Sequence, residues 1–177
     1  ATRRGDDPAE IEAMLERFDT MTSDTNTADL ALRTLDRTIF EGALRAVDEQ
    51  FTEQPLVRAR LLHELGSIML ELSLLDRASP QIEEAVRIRT ELLGASHPDT
   101  LESMSELAAM RQAQTRHAES EVIFRAVLDA REATLGRDAP DSILAANNLG
   151  ISLLFQGKFG EVETLYRDLV DRSKRVF

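Results

Sequence analysis

Residues of one chemical type recur along this chain at intervals of 42, and that period constrains the fold more than any single motif does. Leu65-Gly66, Leu107-Ala108 and Leu149-Gly150 stand in register, as do Gly94 with Gly136 and Pro98 with Pro140. Asp99-Thr100 returns as Asp141-Ser142, and Arg89 returns as Arg131. Large apolar columns run through Phe40, Ile82, Phe124 and Tyr166, through Leu44, Val86, Leu128 and Val170, and through Phe51, Leu93, Leu135 and Phe177. Each repeat unit is therefore one structural module that needs its neighbours to complete a core.

Within a unit the apolar spacing is helical. Leu61, Leu62, Leu65, Ile68, Met69 and Leu72 follow the three-and-four spacing of one helix face. After a break near Leu75-Asp76, Ile82, Ala85, Val86, Leu92 and Leu93 mark a second helix. Gly94 supplies a left-handed residue to end it, Pro98 prevents continuation, and Asp99 or Thr100 is expected to cap the next helix. No useful stretch alternates with period two, so no sheet is expected. Two helices cannot bury so wide an apolar face alone, but stacked pairs can. The expected fold is all-α, a right-handed α-solenoid of antiparallel helix pairs. The expected organisation is an N-terminal capping helix and polar linker over 1–27, a half repeat over 28–55, and repeats over 56–98, 99–140 and 141–177, in a single domain. Asp7-Pro8 opens the capping helix, which ends near Met21 before the linker Thr22–Thr27.

Small residues narrow the family. Leu65-Gly66, Ala78, Ile82 and Ala85 fall at offsets that resemble the tetratricopeptide repeat (TPR). The run Leu92-Leu93-Gly94-Ala95-Ser96-His97-Pro98-Asp99-Thr100, its looser copy Leu135–Ser142 and the segment Asn147-Asn148-Leu149-Gly150 are similar to the 42-residue kinesin-light-chain-type variant. The stretch Ala46–Pro55 leading into the first repeat resembles arrays attached to bacterial serine/threonine kinases, although no kinase motif lies in the chain. The resemblance implies a protein–protein interaction module, a scaffold or sensor part of a larger bacterial regulator. The alternative is an oligomerisation array with no separate ligand.

In such an array the second, fifth, sixth and ninth positions of each first helix line a concave groove. With Leu65, Leu107 and Leu149 at the seventh position, the implied groove residues are Arg60, His63, Glu64 and Ser67, then Glu102, Ser105, Glu106 and Ala109, then Leu144, Asn147, Asn148 and Ile151. The cationic cluster with which related arrays hold acidic peptide termini is missing, and a ligand with basic side chains facing Glu64, Glu102 and Glu106 is expected instead. Leu153, Leu154, Phe155 and Phe159, with Val162 and Leu169 beside them, form an apolar set with no following repeat; either a further helix covers them or they pack internally, or they serve as an assembly surface for a homodimer through the C-terminal repeat.

Enzyme chemistry has little support. There is no Cys, no Gly-rich phosphate loop and no Gly-x-Ser-x-Gly elbow. His63-Glu64 begins like a zinc-protease motif, but the second His position is Ser67. Asp24-x-Asn26 begins like a calcium loop, but Asp29 and Leu35 stand where Gly and Glu are required. His97 is expected to make local hydrogen bonds in its turn, His117 to lie partly exposed at a helix start, and Glu83-Glu84 to be a solvated pair. No catalytic residue, metal or cofactor is expected. With 32 acidic and 21 basic residues, the net charge of −11 disfavours nucleic acid as a partner. No apolar run is long enough for a membrane span, and Ala1–Asp7 has no apolar leader, so a cytoplasmic location is expected; the start without Met and the abrupt end at Arg175-Val176-Phe177 read as cuts from a longer protein.

Overall fold

Proline and glycine punctuate the chain, and the helices fall between them. The computed structural model describes residues 39–176, so the expected capping helix and linker lie outside the described residues. The chain divides into two compact units, residues 1–45 and 46–177. Of the first, only the turn at Ile39-Phe40 and the start of a helix are described, with Phe40 buried. The described helices are α1 (Glu41–Gln50), α2 (Pro55–Glu71), α3 (Leu75–Leu93), α4 (Pro98–Ala113), α5 (His117–Leu135), α6 (Pro140–Phe155) and α7 (Phe159–Val176). There is no strand among the described residues, and none of their helices is long and apolar enough to cross a membrane.

Three helix pairs, α2/α3, α4/α5 and α6/α7, follow the repeat. Each first helix begins on a proline at its first turn, Pro55, Pro98 and Pro140, where the missing N–H costs no helical bond. The cap of α4 differs from expectation: His97 Nδ1 accepts from the Asp99 N–H at 3.2 Å, while Asp99 and Thr100 already lie inside the helix. Pro98 sets this arrangement, because a proline at the first helical position places the cap one residue before it. His97 is thus a turn hydrogen-bonding residue, as its motif suggested.

The second helices α3 and α5 end at Gly94 and Gly136. Both have positive φ, +91° and +89°, with extended ψ, a region that a side chain makes costly. One side chain then braces each hinge. Arg89 Nη1 donates to the Asp99 carbonyl at 2.8 Å, and Arg131 Nη1 donates to the Asp141 carbonyl at 3.2 Å. The repeated arginine column therefore holds successive pairs together.

Within each pair the turn closes differently. The N–H groups of Leu74, Arg116 and Lys158 reach back to the carbonyls of Met69, Arg111 and Leu153, five residues earlier. The residues before them, Ser73, Thr115 and Gly157, carry positive φ of 60°, 60° and 71°.

The core runs between the helices of successive pairs. Leu101, Phe124, Val127, Leu128, Ala145, Ala146, Leu149, Leu153 and Leu169 form one buried cluster. Burying a side chain such as Phe124 stabilises the fold by about 2–3 kcal/mol. Gly66 lies so close to α3 that a Cβ there would stand 2.5 Å from Ile82 Cγ1, which explains the small-residue column. The column of Phe51, Leu93 and Leu135 does not join the core: Phe51 and Leu93 are half-buried and Leu135 is exposed, because these residues sit where helices end and turn outward.

Candidate functional site

The groove residues implied by the repeat pattern lie on α2, α4 and α6, and the structure draws a subset of them together. His63 is buried, with Nδ1 2.9 Å from Glu106 Oε2 and 3.3 Å from Ser103 Oγ. Ser67 Oγ also donates to Glu106. Arg89 Nη1 donates to Ser103 Oγ at 2.7 Å and stands 3.6 Å from Glu102. Burial pushes the Glu106 carboxyl up, but His63 and Ser67 outweigh it and hold its pKa below the ordinary carboxylate value. This cluster ties α2 to α4. Much of Glu106 is therefore committed within the molecule, and it is a poorer ligand contact than its repeat position implies.

The remaining positions divide between open and committed. Arg60, Glu64, Glu102 and Leu144 are exposed. Arg60 and Glu64 make no ion pair with another described residue. Ser105 Oγ donates to the carbonyl of Leu101 in its own helix at 2.7 Å. Asn147 Oδ1 accepts from Tyr166 at 3.2 Å, and the Asn148 carbonyl accepts from Gln112 at 3.3 Å. Ala109 and Ile151 are half-buried. The open part of this face carries Arg60 and Glu64 on α2, Glu102 on α4 and the apolar Leu144 on α6.

The expected assembly residues separate. Leu153 of α6 is a core residue, 1% exposed, and Leu169 of α7 is also buried, because both join the cluster shared by α5, α6 and α7. Leu154, Phe155 and Phe159 are exposed, with Phe155 stacked on His117 at a ring separation of 4.7 Å. A different apolar opening lies between α6 and α7. Ile143, Leu144, Asn147, Tyr166, Leu169 and Val170 line a groove of about 540 Å³ there.

Ion pairs on the opposite, second-helix side escaped the sequence reading. Arg111 is buried, and joins Glu83 and Ser79 of α3 to Glu119 of α5. Glu83 and Glu84 are thus not simply solvated: Glu84 pairs with Arg87 at 2.7 Å and with Arg58 at 2.7 Å, and its pKa falls to about 2. The hydrogen bond from Arg87 is the largest influence, set against partial burial and aided by Arg58. Glu121, also buried, accepts from Lys158 at 2.6 Å, Arg125 at 2.8 Å and Gln156 at 2.8 Å. A charged residue in a column that is apolar in other repeats, such as Arg111 against Met69 and Leu153, is the signal that marks such a network. Among the described residues no three His, Asp or Glu side chains converge as a metal site requires.

Comparison with known proteins places this geometry. Family models described as tetratricopeptide repeat match residues 58–99 and 103–175. No curated protein matches the chain. Among solved structures it resembles the TPR-like repeats of a kinesin-light-chain-type protein from Podosopora anserina, at 19% identity over 95% of this chain and 88% of that one, with a TM-score of 0.65. A single-residue variant of that protein matches at 18% identity over 95% and 87%, with a TM-score of 0.64. BtubC (BKLC) from P. vanneervenii matches at 16% identity over 96% of this chain and 66% of that one, with a TM-score of 0.68. These likenesses are of fold, and with the repeat models they show an all-α helical repeat in which the chain belongs to the tetratricopeptide-repeat family.

Proposed function

We propose that the chain is a protein–protein interaction module, and that the face of its first helices receives an extended segment carrying basic side chains. TPR repeats mediate protein–protein interaction as a class, which sets the kind of function. The observation that carries the finer reading is Glu64, exposed on α2 with no ion pair to another described residue, on the same first-helix face as the exposed Glu102 of α4. The His63–Ser67–Glu106 cluster between them holds the two helices in fixed relation, so Glu64 is presented open on a rigid support, with Glu102 exposed beside it at 3.6 Å from Arg89 and 4.0 Å from His63. Asn148 and Ile151 continue the face with polar and apolar surface. As part of a larger bacterial regulator the module acts as a scaffold or sensor.

The test is a peptide array of Lys- and Arg-containing extended sequences, followed by fluorescence polarisation on the best binder. Glu64→Lys together with Glu102→Lys should weaken that binding by about tenfold or more, with added salt reducing the difference. Unchanged affinity in the double variant, or selection of acidic peptides only, would remove this face from the reading.

A further inference from the structure

One position of the first helices stays open in all three described repeats, and its residues differ in chemistry from one repeat to the next. Arg60, Glu102 and Leu144 stand 42 residues apart in turn, on α2, α4 and α6. Arg60 is exposed and makes no ion pair with another described residue. The Glu102 side chain is 65% exposed. The cations nearest to it, Arg89 at 3.6 Å and His63 at 4.0 Å, are both buried, so they approach from the protein side and leave its outer face to solvent. Leu144 is 53% exposed. Glu102 keeps its exposure with a further repeat packed behind α4, so the openness of Leu144 belongs to the position itself.

The other rows of the face are partly consumed inside the molecule. Ser105 bonds to its own helix, Asn147 accepts from Tyr166, and Ser67 donates to Glu106. Ala109 and Ile151 are half-buried. Arg60, Glu102 and Leu144 therefore make the row whose three members are all exposed. Its steps are even. His63 meets Ser103 between α2 and α4, and Gln112 meets Ser152 between α4 and α6, each pair 40 residues apart. Helices packed side by side lie about 8–10 Å apart. An extended chain advances about 3.3–3.6 Å per residue, so it takes about three residues to cross from one first helix to the next.

We propose that the segment received by this face carries three side chains in a set order: an acidic one against Arg60, a basic one against Glu102 and an apolar one against Leu144, each about three residues from the next. The order rests on the proposal that basic side chains are received here, and it adds what stands on either side of the central base. Glu64, one turn beyond Arg60 on α2, remains open to a further basic group. A uniformly basic segment sets a like charge against Arg60, and an acidic one sets a like charge against Glu102, so the row selects by repulsion as well as by attraction.

Nuclear magnetic resonance titration of the 177-residue chain at low salt tests the order, with short synthetic peptides of one composition. Glu, Lys and Leu stand at every third place in a Gly-Ser background, in both chain directions, and a Lys-rich peptide serves as the control for basic binding. Peptides with Lys in the middle should bind. Exchanging Glu with Lys should weaken binding by about tenfold, and replacing Leu by Ser by about threefold. Arg60→Glu should reverse the preference at the acidic place, and Glu102→Lys should reverse it at the central one. Both positions are exposed, and circular dichroism verifies that each variant stays helical. Equal affinity for every order, with the Lys-rich control still bound through Glu64 and Glu102, would overturn the order and leave the basic-segment proposal standing. Binding by none of the peptides, the control included, would remove both. An order preference that survives Arg60→Glu and Glu102→Lys unchanged would place the contact elsewhere and overturn the assignment.

Discussion

Arg111 and Leu153 occupy the same position in successive repeats, and the two inter-repeat contacts are built differently around them. At the first contact the cation comes from a first helix: Arg111 of α4 reaches Glu83 of α3 and Glu119 of α5, and binds Ser79 and Gln114 as well. At the second contact that position is the core residue Leu153, and the cation has moved to a second helix. Arg125, in the column of Glu83, pairs directly with Glu161, in the column of Glu119, at 2.6 Å. Glu121 replaces Ser79 and gathers Lys158, Arg125 and Gln156. The repeat thus preserves the bridge between neighbouring second helices while changing which residues make it. The difference follows from reach: a long cationic stem can cross a first helix, whereas a leucine there requires the second helices to pair with each other.

The largest expected effect separates packing from charge at the first contact. Arg111→Ala should destabilise the chain by about 2–3 kcal/mol, mostly through lost packing, because its carboxylate partners are half exposed and can rehydrate. Arg111→Leu, which copies the second contact, should cost less than about 1 kcal/mol. Urea denaturation measures both, and equal losses in the two variants would refute the packing account.

Gly66 and Gly150 offer a second comparison. A Cβ at Gly66 meets Ile82 Cγ1 at 2.5 Å in a closed core, and a Cβ at Gly150 meets Tyr166 at 2.8 Å beside the open groove. Gly66→Ala should cost about 1–3 kcal/mol despite its better helix propensity, and Gly150→Ala should stay within about 1 kcal/mol of the parent because Tyr166 has room to move. Thermal unfolding with calorimetry would show whether the order is reversed.

Acid sensitivity should also belong to the second contact. Burial raises the Glu121 carboxyl, but hydrogen bonds from Lys158, Arg125 and Gln156 prevail and bring it to about 2 from an ordinary 4.5. A carboxyl depressed on folding contributes stability above its unfolded value and loses it as pH falls toward the folded one. The stability difference between the parent and Glu121→Gln should be about 1–2 kcal/mol at neutral pH, shrink below pH 4.5 and vanish near pH 2. A difference that stays constant through this window in pH-dependent urea titrations would mean that Glu121 acts by shape alone.

The smallest effect concerns the turns within pairs. Thr115 and Ser73 hold φ of 60°, where Gly157 holds 71° in the third repeat. Thr115→Gly should stabilise the chain by about 0.5–1 kcal/mol, and Gly157→Thr should destabilise it by a similar amount. The same denaturation series reads both.

Much of the architecture was legible in the residues because it depends on local periodicity. The three-and-four apolar spacing, the hinge glycines and the prolines at first-helix starts act within a few residues of themselves, so their consequences appear in the chain order. Ser73 and Thr115 gave no such signal, since neither residue type announces a positive φ. The recognition face was legible only in part. Repeat position placed Glu64 and Glu106 in equivalent settings, yet the first is exposed and the second is held by His63 and Ser67. Leu153 read as surface because it belongs to the last repeat, but it faces α5 and α7 rather than the open edge.

The sequence by itself determined the helical repeat and its 42-residue module, both of which follow from spacing along one chain. The tertiary structure alone decided which polar side chains are consumed inside the molecule and which remain available. That choice depends on residues some 40 positions apart, such as His63 with Ser103 and Gln112 with Ser152, meeting across stacked helices. A buried polar atom must find its partner wherever packing brings one, and spacing along a single helix does not specify that neighbour.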